Sequence, residues 1–491
     1  MTLDDTITTN QSTGLPPAER NAYSRTLAAL VAAADPAIWV HPAIEPLYVP
    51  GKGSAFRATR AIAPNTDLLR VAPRALLNVS STKLGSSLDC AGLSAHQHLA
   101  YFLTTLFEEK KDEGLRTSSR STSSQRSNTP TTDDLILELD DGRVYVPRAS
   151  SSESKDKIML AYLRTLPTNY ANMPISWPTE HIPKDLRASV TLQRRTLASD
   201  YDTVCGAIRR SFPDSTIQQP SRALFQWAWL TVNTRSLYIA VTPHASTNLT
   251  LAPAIDLLNH TAEPHRASSM RWDRLRGMTI YSGPGVEYGP GDEVCITYGH
   301  HPNAFLLREY GFVLDGNPHD SVDLTPALPE LQREEDDDDI ELKKPQAHLS
   351  LSTRPGSAFD NIQKTGSHVV RDLLESLGYN GEYTLAASEP HISFRTTVAA
   401  VALAYPGNAR LVEQLAMGLS DESRYEAEVR KIVSEAISDR KDQLEAQKEF
   451  LSDDDEDEDD ADDTKSLCCQ LFTGWLAILD AVELSFQVKG V

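Results

Sequence analysis

Hydrophobic and polar positions change rhythm several times along this chain of 491 residues. Residues 1–20, opening MTLDDTITTN, are polar without a period and read as disordered. Leu27, Leu30 and Val31 then share one face and predict a short helix over 21–33. From Ile44 the pattern shortens to strands at 47–49, 54–59, 68–71 and 75–79. Residues 94–109 read as helical. Residues 117–133 hold almost nothing apolar and are rich in Ser, Thr and Arg, which marks a flexible linker. A hairpin is expected from 135–139 and 144–146 around Asp141-Gly142, and a second polar break covers 150–154. Ser221 caps a helix carrying Leu224, Phe225 and Ala228. After Asp315 the character is helical, with segments at 359–377, 392–403, 409–419, 422–450 and 464–486. Val429, Ile432, Val433, Ala436 and Ile437 form one apolar face there. Strands followed by helices place the chain in the α+β class.

One stretch, 251–313, is denser in signal. LAPAIDLLNH is a short apolar run closed by Asp256, Asn259 and His260. The turn Gly289-Pro290-Gly291-Asp292 feeds a strand, Val294-Cys295-Ile296, that ends on Thr297-Tyr298-Gly299. Phe305, Leu306 and Tyr310 then recur at helical spacing before Gly311-Phe312-Val313. Singly, Asn259 and His260 are ordinary turn residues and Tyr298 an ordinary strand residue. Their order and spacing carry the information.

DLLNH, ITYG and NAFLLREYGFV together resemble the carboxyl half of a SET domain, in the class of Rubisco large-subunit methyltransferase. That class includes ribosomal-protein and histone methyltransferases. The resemblance implies a β-rich SET domain over 21–315, split by a helical insert at about 95–220. An acidic linker at 316–350 and an all-α substrate-binding domain at 351–491 follow. It implies S-adenosyl-L-methionine as cofactor and Tyr298 as the catalytic residue that orients a lysine amine. It places Leu237 and Phe312 along the lysine channel. Around the cofactor it places Gly51, Lys52 and Gly53 of the GKG turn, Arg235 of NTRSLY, and Asn259 and His260, with Asp256 bracing the Asn-His turn. The expected activity is protein-lysine N-methylation of a ribosomal protein. Histone-lysine methylation, protein-histidine methylation and non-catalytic binding of basic proteins are the alternatives. A histidine-methylating branch carries asparagine two residues after the motif arginine. This chain has Leu237 there, which cannot hydrogen-bond an imidazole.

Charge sharpens the picture. The formal net charge is −21, yet much of it sits in two runs, Glu334–Asp339 and the acids of 453–463. Such runs read as solvated tracts able to steer basic partners. Without them the remainder is only mildly acidic, and no basic stripe suggests direct nucleic-acid binding. Five scattered cysteines build no disulfide framework, and none lies between Cys295 and Cys468, so no zinc cluster or other metal is expected. No signal peptide and no run as long as a membrane span is expected. These features imply cytoplasmic or nuclear localisation.

Overall fold

The computed structural model describes residues 17–49, 53–84, 92–110, 136–148, 154–213, 219–328, 331, 367–389, 391–453 and 459–488. The chain forms two compact units. One is Met1–His300 with Arg308–Phe312; the other is His301–Leu307 with Val313–Val491. The chain passes from one unit to the other after His300, after Leu307 inside the short helix Asn303–Tyr310, and after Phe312.

The first unit is built on a five-stranded sheet. Its order is Ile38–Val40, Asp67–Val71, Gly277–Tyr281, Ala267–Asp273, Cys295–Ile296. Neighbours pair antiparallel except the last, where Ala267 and Ser268 lie parallel to Cys295 and Ile296. Leu68, Leu69, Val71 and Ile280 are fully buried on this sheet. A ribbon of Ile44–Val49 and Gly53–Ala58 joins the same core through Phe56. The chain between Asp67–Val71 and its partner Gly277–Tyr281 contains the helical insert.

Several expected elements took a different form. Residues 17–20 belong to a helix, Pro17–Ala34. Ala75–Val79 makes no strand: Pro73–Ala75 is a 3-10 turn and Leu77 forms a single bridge to Leu251. The helix at 94–109 stops at Thr105, because Phe107–Glu109 pairs with Val144–Pro147. Its start is as expected, with Ser94 and Gln97 forming a reciprocal capping box. The hairpin is present as Leu137–Glu138 and Val144–Pro147. The 117–133 linker lies outside the described residues.

The insert contributes a helix the pattern reading missed, Lys184–Ser211. Its buried residues Leu186, Val190, Leu197, Val204 and Ile208 follow helical spacing, on an otherwise polar surface. Helix Arg222–Arg235 is capped by Ser221, whose hydroxyl accepts from Leu224 N. It packs beside the Ala95–Thr105 helix and passes directly into strand Ser236–Tyr238.

The second unit is mainly helical but not all-α. Ser321–Asp323 pairs with Thr384–Ala386, so the expected linker at 316–350 is ordered through Leu328. Helices Ser367–Ser376, Phe394–Ala404, Ala409–Ala416, Glu426–Asp453 and Asp459–Val488 complete it. The expected apolar face of Val429, Ile432, Val433, Ala436 and Ile437 is buried throughout. Part of the second acidic tract, from Asp459, is helical. Helix Asp463–Gln487 is long and apolar enough to cross a membrane by length and composition, which corrects the expectation of no such run. Its residues Leu471, Phe472, Leu479 and Val482 are fully buried within this unit.

Candidate functional site

The loop after strand Leu249–Leu251 makes a left-handed step at Ala254 (φ 73°), a buried position. The 3-10 turn Ile255–Leu257 follows and delivers Leu258, Asn259 and His260. This segment is laced to the strand preceding Tyr298. Ile296 N donates to Asn259 O at 2.9 Å, and Thr261 N to Ile296 O at 2.9 Å. Two motifs far apart in sequence thus become neighbours through backbone hydrogen bonds.

Tyr298 is held from both ends by that segment. Its backbone N–H donates to His260 Nδ1 at 3.0 Å, and its hydroxyl donates to Leu258 O at 2.8 Å. The His260 side chain therefore anchors the tyrosine, a role the sequence did not reveal. The imidazole also stacks on the Tyr298 ring, with centroids 5.2 Å apart. Tyr310 lies 4.9 Å from Tyr298, and Phe312 meets it edge-on at 6.4 Å. Burial, partly offset by Arg235, raises the Tyr298 phenol well above the ordinary tyrosine range. The hydroxyl stays protonated at neutral pH. With its proton on Leu258 O, its oxygen remains an acceptor.

Asn259 turns its amide nitrogen to Glu293 Oε1 at 2.7 Å. A carboxylate only accepts, so the Asn259 carbonyl oxygen is the end left for another donor. Glu293 was absent from the sequence-derived set, although it lies within the GDEVCITYG text.

Arg235, at the end of helix Arg222–Arg235, donates through Nη1 to Asp256 O at 2.8 Å. The Asp256 carboxylate has backbone partners at Ala254 and Asp256, in the turn that leads to Asn259-His260. That carboxylate accepts the hydroxyl proton of Tyr162, at 2.6 Å, from the insert. Burial pushes the Asp256 carboxyl up to about 6, against the opposing pull of Arg235 and the Tyr162 hydrogen bond. Tyr162 is itself raised, by burial and then by Asp256.

Leu237 sits opposite Thr250 in the Ser236–Tyr238 strand, half-buried against the same core as Tyr298. The alternation is uninformative there, since Ser236 and Leu237 are both half-buried. Gly53 adopts φ +82°, and a side chain would meet nothing within 4 Å. The space where a Cβ would stand is open. Gly51 and Lys52 lie outside the described residues.

Residues 360–483 match the family model of the ribosomal lysine N-methyltransferase 2 C-terminal domain. Ribosomal lysine N-methyltransferase set11 of Schizosaccharomyces pombe is 27% identical over 293 residues, which is 58% of this chain and 60% of that protein. Ribosomal lysine N-methyltransferase 2 of Saccharomyces cerevisiae is 33% identical over 135 residues, 25% of this chain and 28% of that one. The match thus spans about 60% or less of these relatives' lengths. A crystal structure of the SET domain of LSMT bound to lysine and AdoHcy aligns with a TM-score of 0.53 and 14% identity. It covers 96% of this chain and 92% of that one. The fold is therefore that of the SET-domain methyltransferases, as the motif order implies.

Proposed function

We propose that this chain is an S-adenosylmethionine-dependent protein-lysine N-methyltransferase, acting on a ribosomal protein, with Tyr298 as its catalytic residue. The observation that carries the reading is the double anchoring of Tyr298. His260 Nδ1 holds its backbone and Leu258 O holds its hydroxyl proton. The two motifs whose order suggested the chemistry are bonded at Tyr298.

The acceptor amine must be neutral to attack. Deprotonating a free lysine of pKa near 10.4 at about pH 7.4 costs roughly 4 kcal/mol. A site walled by Tyr298, Tyr310 and Phe312 lowers that cost, because desolvation disfavours the ammonium form. The Tyr298 oxygen accepts one N–H and aims the nitrogen lone pair. The methylated nitrogen would emerge as an ammonium ion and would release its extra proton to solvent. Since the phenol is raised, Tyr298 acts as an orienting acceptor and not as a base.

Three groups support the cofactor reading. Gly53 offers backbone without obstruction, Asn259 offers its carbonyl oxygen, and Arg235 lies by the same turn through Asp256 O. Gly51, Lys52 and the His260 backbone are further members of this proposed set. The bound cofactor supplies a methyl group activated by a positive sulfonium. Leu237 and Phe312 are proposed to line the lysine channel, which favours lysine over histidine as acceptor.

Ribosomal proteins are the preferred substrates, because the relatives above bear that name and the acidic runs suit basic clients. The cytoplasm and nucleus are the compartments this implies, with neither nucleic acid nor membrane as a direct partner. The test is calorimetry with S-adenosylhomocysteine, followed by labelled-methyl transfer to a ribosomal-protein extract. Binding that Asn259→Ala weakens, with label on lysine, is expected. Absence of binding by the wild type, or label on histidine alone, overturns the reading.

A further inference from the structure

We infer that the helical insert and the Arg222–Arg235 helix set the number of methyl groups the site admits, through two clamps on the backbone bearing Tyr310 and Phe312. This rests on the methyltransferase reading above and makes Glu309 and Asn172 positioning residues.

The first clamp is the Glu309 carboxylate, at the end of helix Asn303–Tyr310. Its Oε2 accepts from Asn233 Nδ2 at 2.9 Å and from Gln193 Nε2 at 3.1 Å. Its Oε1 accepts from Arg308 Nε at 2.6 Å. The side chain is only 19% exposed. Two helices, Lys184–Ser211 and Arg222–Arg235, therefore fix the residue immediately before Tyr310. Hydrogen bonds to a charged, mostly buried acceptor are the stronger kind.

The second clamp is one residue beyond Tyr310. Asn172 Nδ2 donates to Gly311 O at 2.9 Å. Gly311 has φ +77°, and a methyl there would lie 2.4 Å from Asn172 Nδ2 and 3.1 Å from Met173 Cγ. The insert thus presses directly on the backbone between the two rings. Its own segment is fixed in turn. Trp177 Nε1 donates to Ala171 O, and the Tyr170 hydroxyl donates to Thr231 Oγ1 in helix Arg222–Arg235.

Tyr310 and Phe312 both face Tyr298, at 4.9 and 6.4 Å between centroids. In a close-packed wall the space of a single methyl group is felt. An amine already carrying one or two methyls needs that space beside Tyr298. A wall clamped at both flanks does not yield it. A loosened wall does, so release of either clamp shifts products towards higher methylation.

The experiment uses full-length protein, a ribosomal-protein extract and isotope-labelled S-adenosylmethionine. Mass spectrometry counts the methyl groups on each modified lysine. Asn172→Ala and Glu309→Ala are expected to raise the ratio of higher to lower methylated product several-fold. Glu309→Gln, which keeps an acceptor, is expected to restore much of the wild-type ratio. Calorimetry with S-adenosylhomocysteine should give unchanged affinity in each variant, which also reports folding. Unchanged product ratios in folded Asn172→Ala and Glu309→Ala overturn the clamps and leave the enzyme reading intact. A wild type that transfers no label overturns both. Should one variant fail to fold, the other clamp's variant decides by the same ratio.

Discussion

Tyr298 gives the narrowest test of the chemistry. Tyr298→Phe removes one oxygen and keeps the ring contacts with His260 and Tyr310. It leaves Leu258 O without that donor, a loss on the order of 1 kcal/mol in stability. Activity should fall by a factor of about 10²–10⁴, the range of a positioned polar catalytic group. Initial rates with the variant check this, and near-normal turnover would remove Tyr298 from the mechanism. Asp256 gives a second test, in pH. Its carboxyl is raised to about 6, so between its ordinary value and 6 the native state holds a proton that the unfolded chain has lost. The stability contributed by the neutral carboxyl is present at low pH and is lost as pH rises through about 6. Asp256→Asn does not titrate. Urea unfolding at pH 4 and pH 7 should show the variant gaining on the wild type by up to about 3 kcal/mol across that window. A pH-independent difference would place the carboxyl's titration elsewhere.

Elements show where sequence patterns inform and where they fail. The helix ending at Arg235 was legible because its start is written locally: Ser221 Oγ accepts from Leu224 N at 3.1 Å. The same oxygen also accepts the Tyr145 hydroxyl at 2.8 Å. Ser221→Ala should therefore cost about 1–2 kcal/mol, slightly more than a solitary cap. Chemical denaturation would measure it, against Ser94→Ala as a cap without such a second partner. Residues 75–79 and 107–109 were misread for a shared reason. Both are short pieces whose state is decided by a partner distant in sequence, Leu251 in one case and Val144–Pro147 in the other. The site divides in the same way. Asn259, His260, Tyr298 and Phe312 stand in motifs, and the fold brings them together. Tyr162 and Asn172 meet Asp256 and Gly311 from the insert, each through one side chain. A single side chain leaves no period or spacing to read. The hydroxyl partner of Asp256 was hidden likewise, because Tyr162 lies in the insert.

At the scale of the molecule, charge and topology have separate consequences. Replacing Glu334–Asp339 with neutral polar residues should slow association with a basic ribosomal-protein client at low salt and change little at high salt. Stopped-flow rates at two ionic strengths test this, and an equal effect at both would exclude steering. The topology bears on synthesis. Strand Asp67–Val71 finds its antiparallel partner, Gly277–Tyr281, only across the whole insert. The Asn259-His260 turn is completed only by Ile296. A ribosome delivers the first strand long before its partner exists, and such late pairing is slow and leaves an edge exposed meanwhile. The nascent chain is thus a substrate for holding chaperones while it is inert as a catalyst. A message truncated before Ile296 yields a polypeptide with an open edge and no closed turn for a cofactor, to be cleared by proteolysis rather than stored as a partial enzyme.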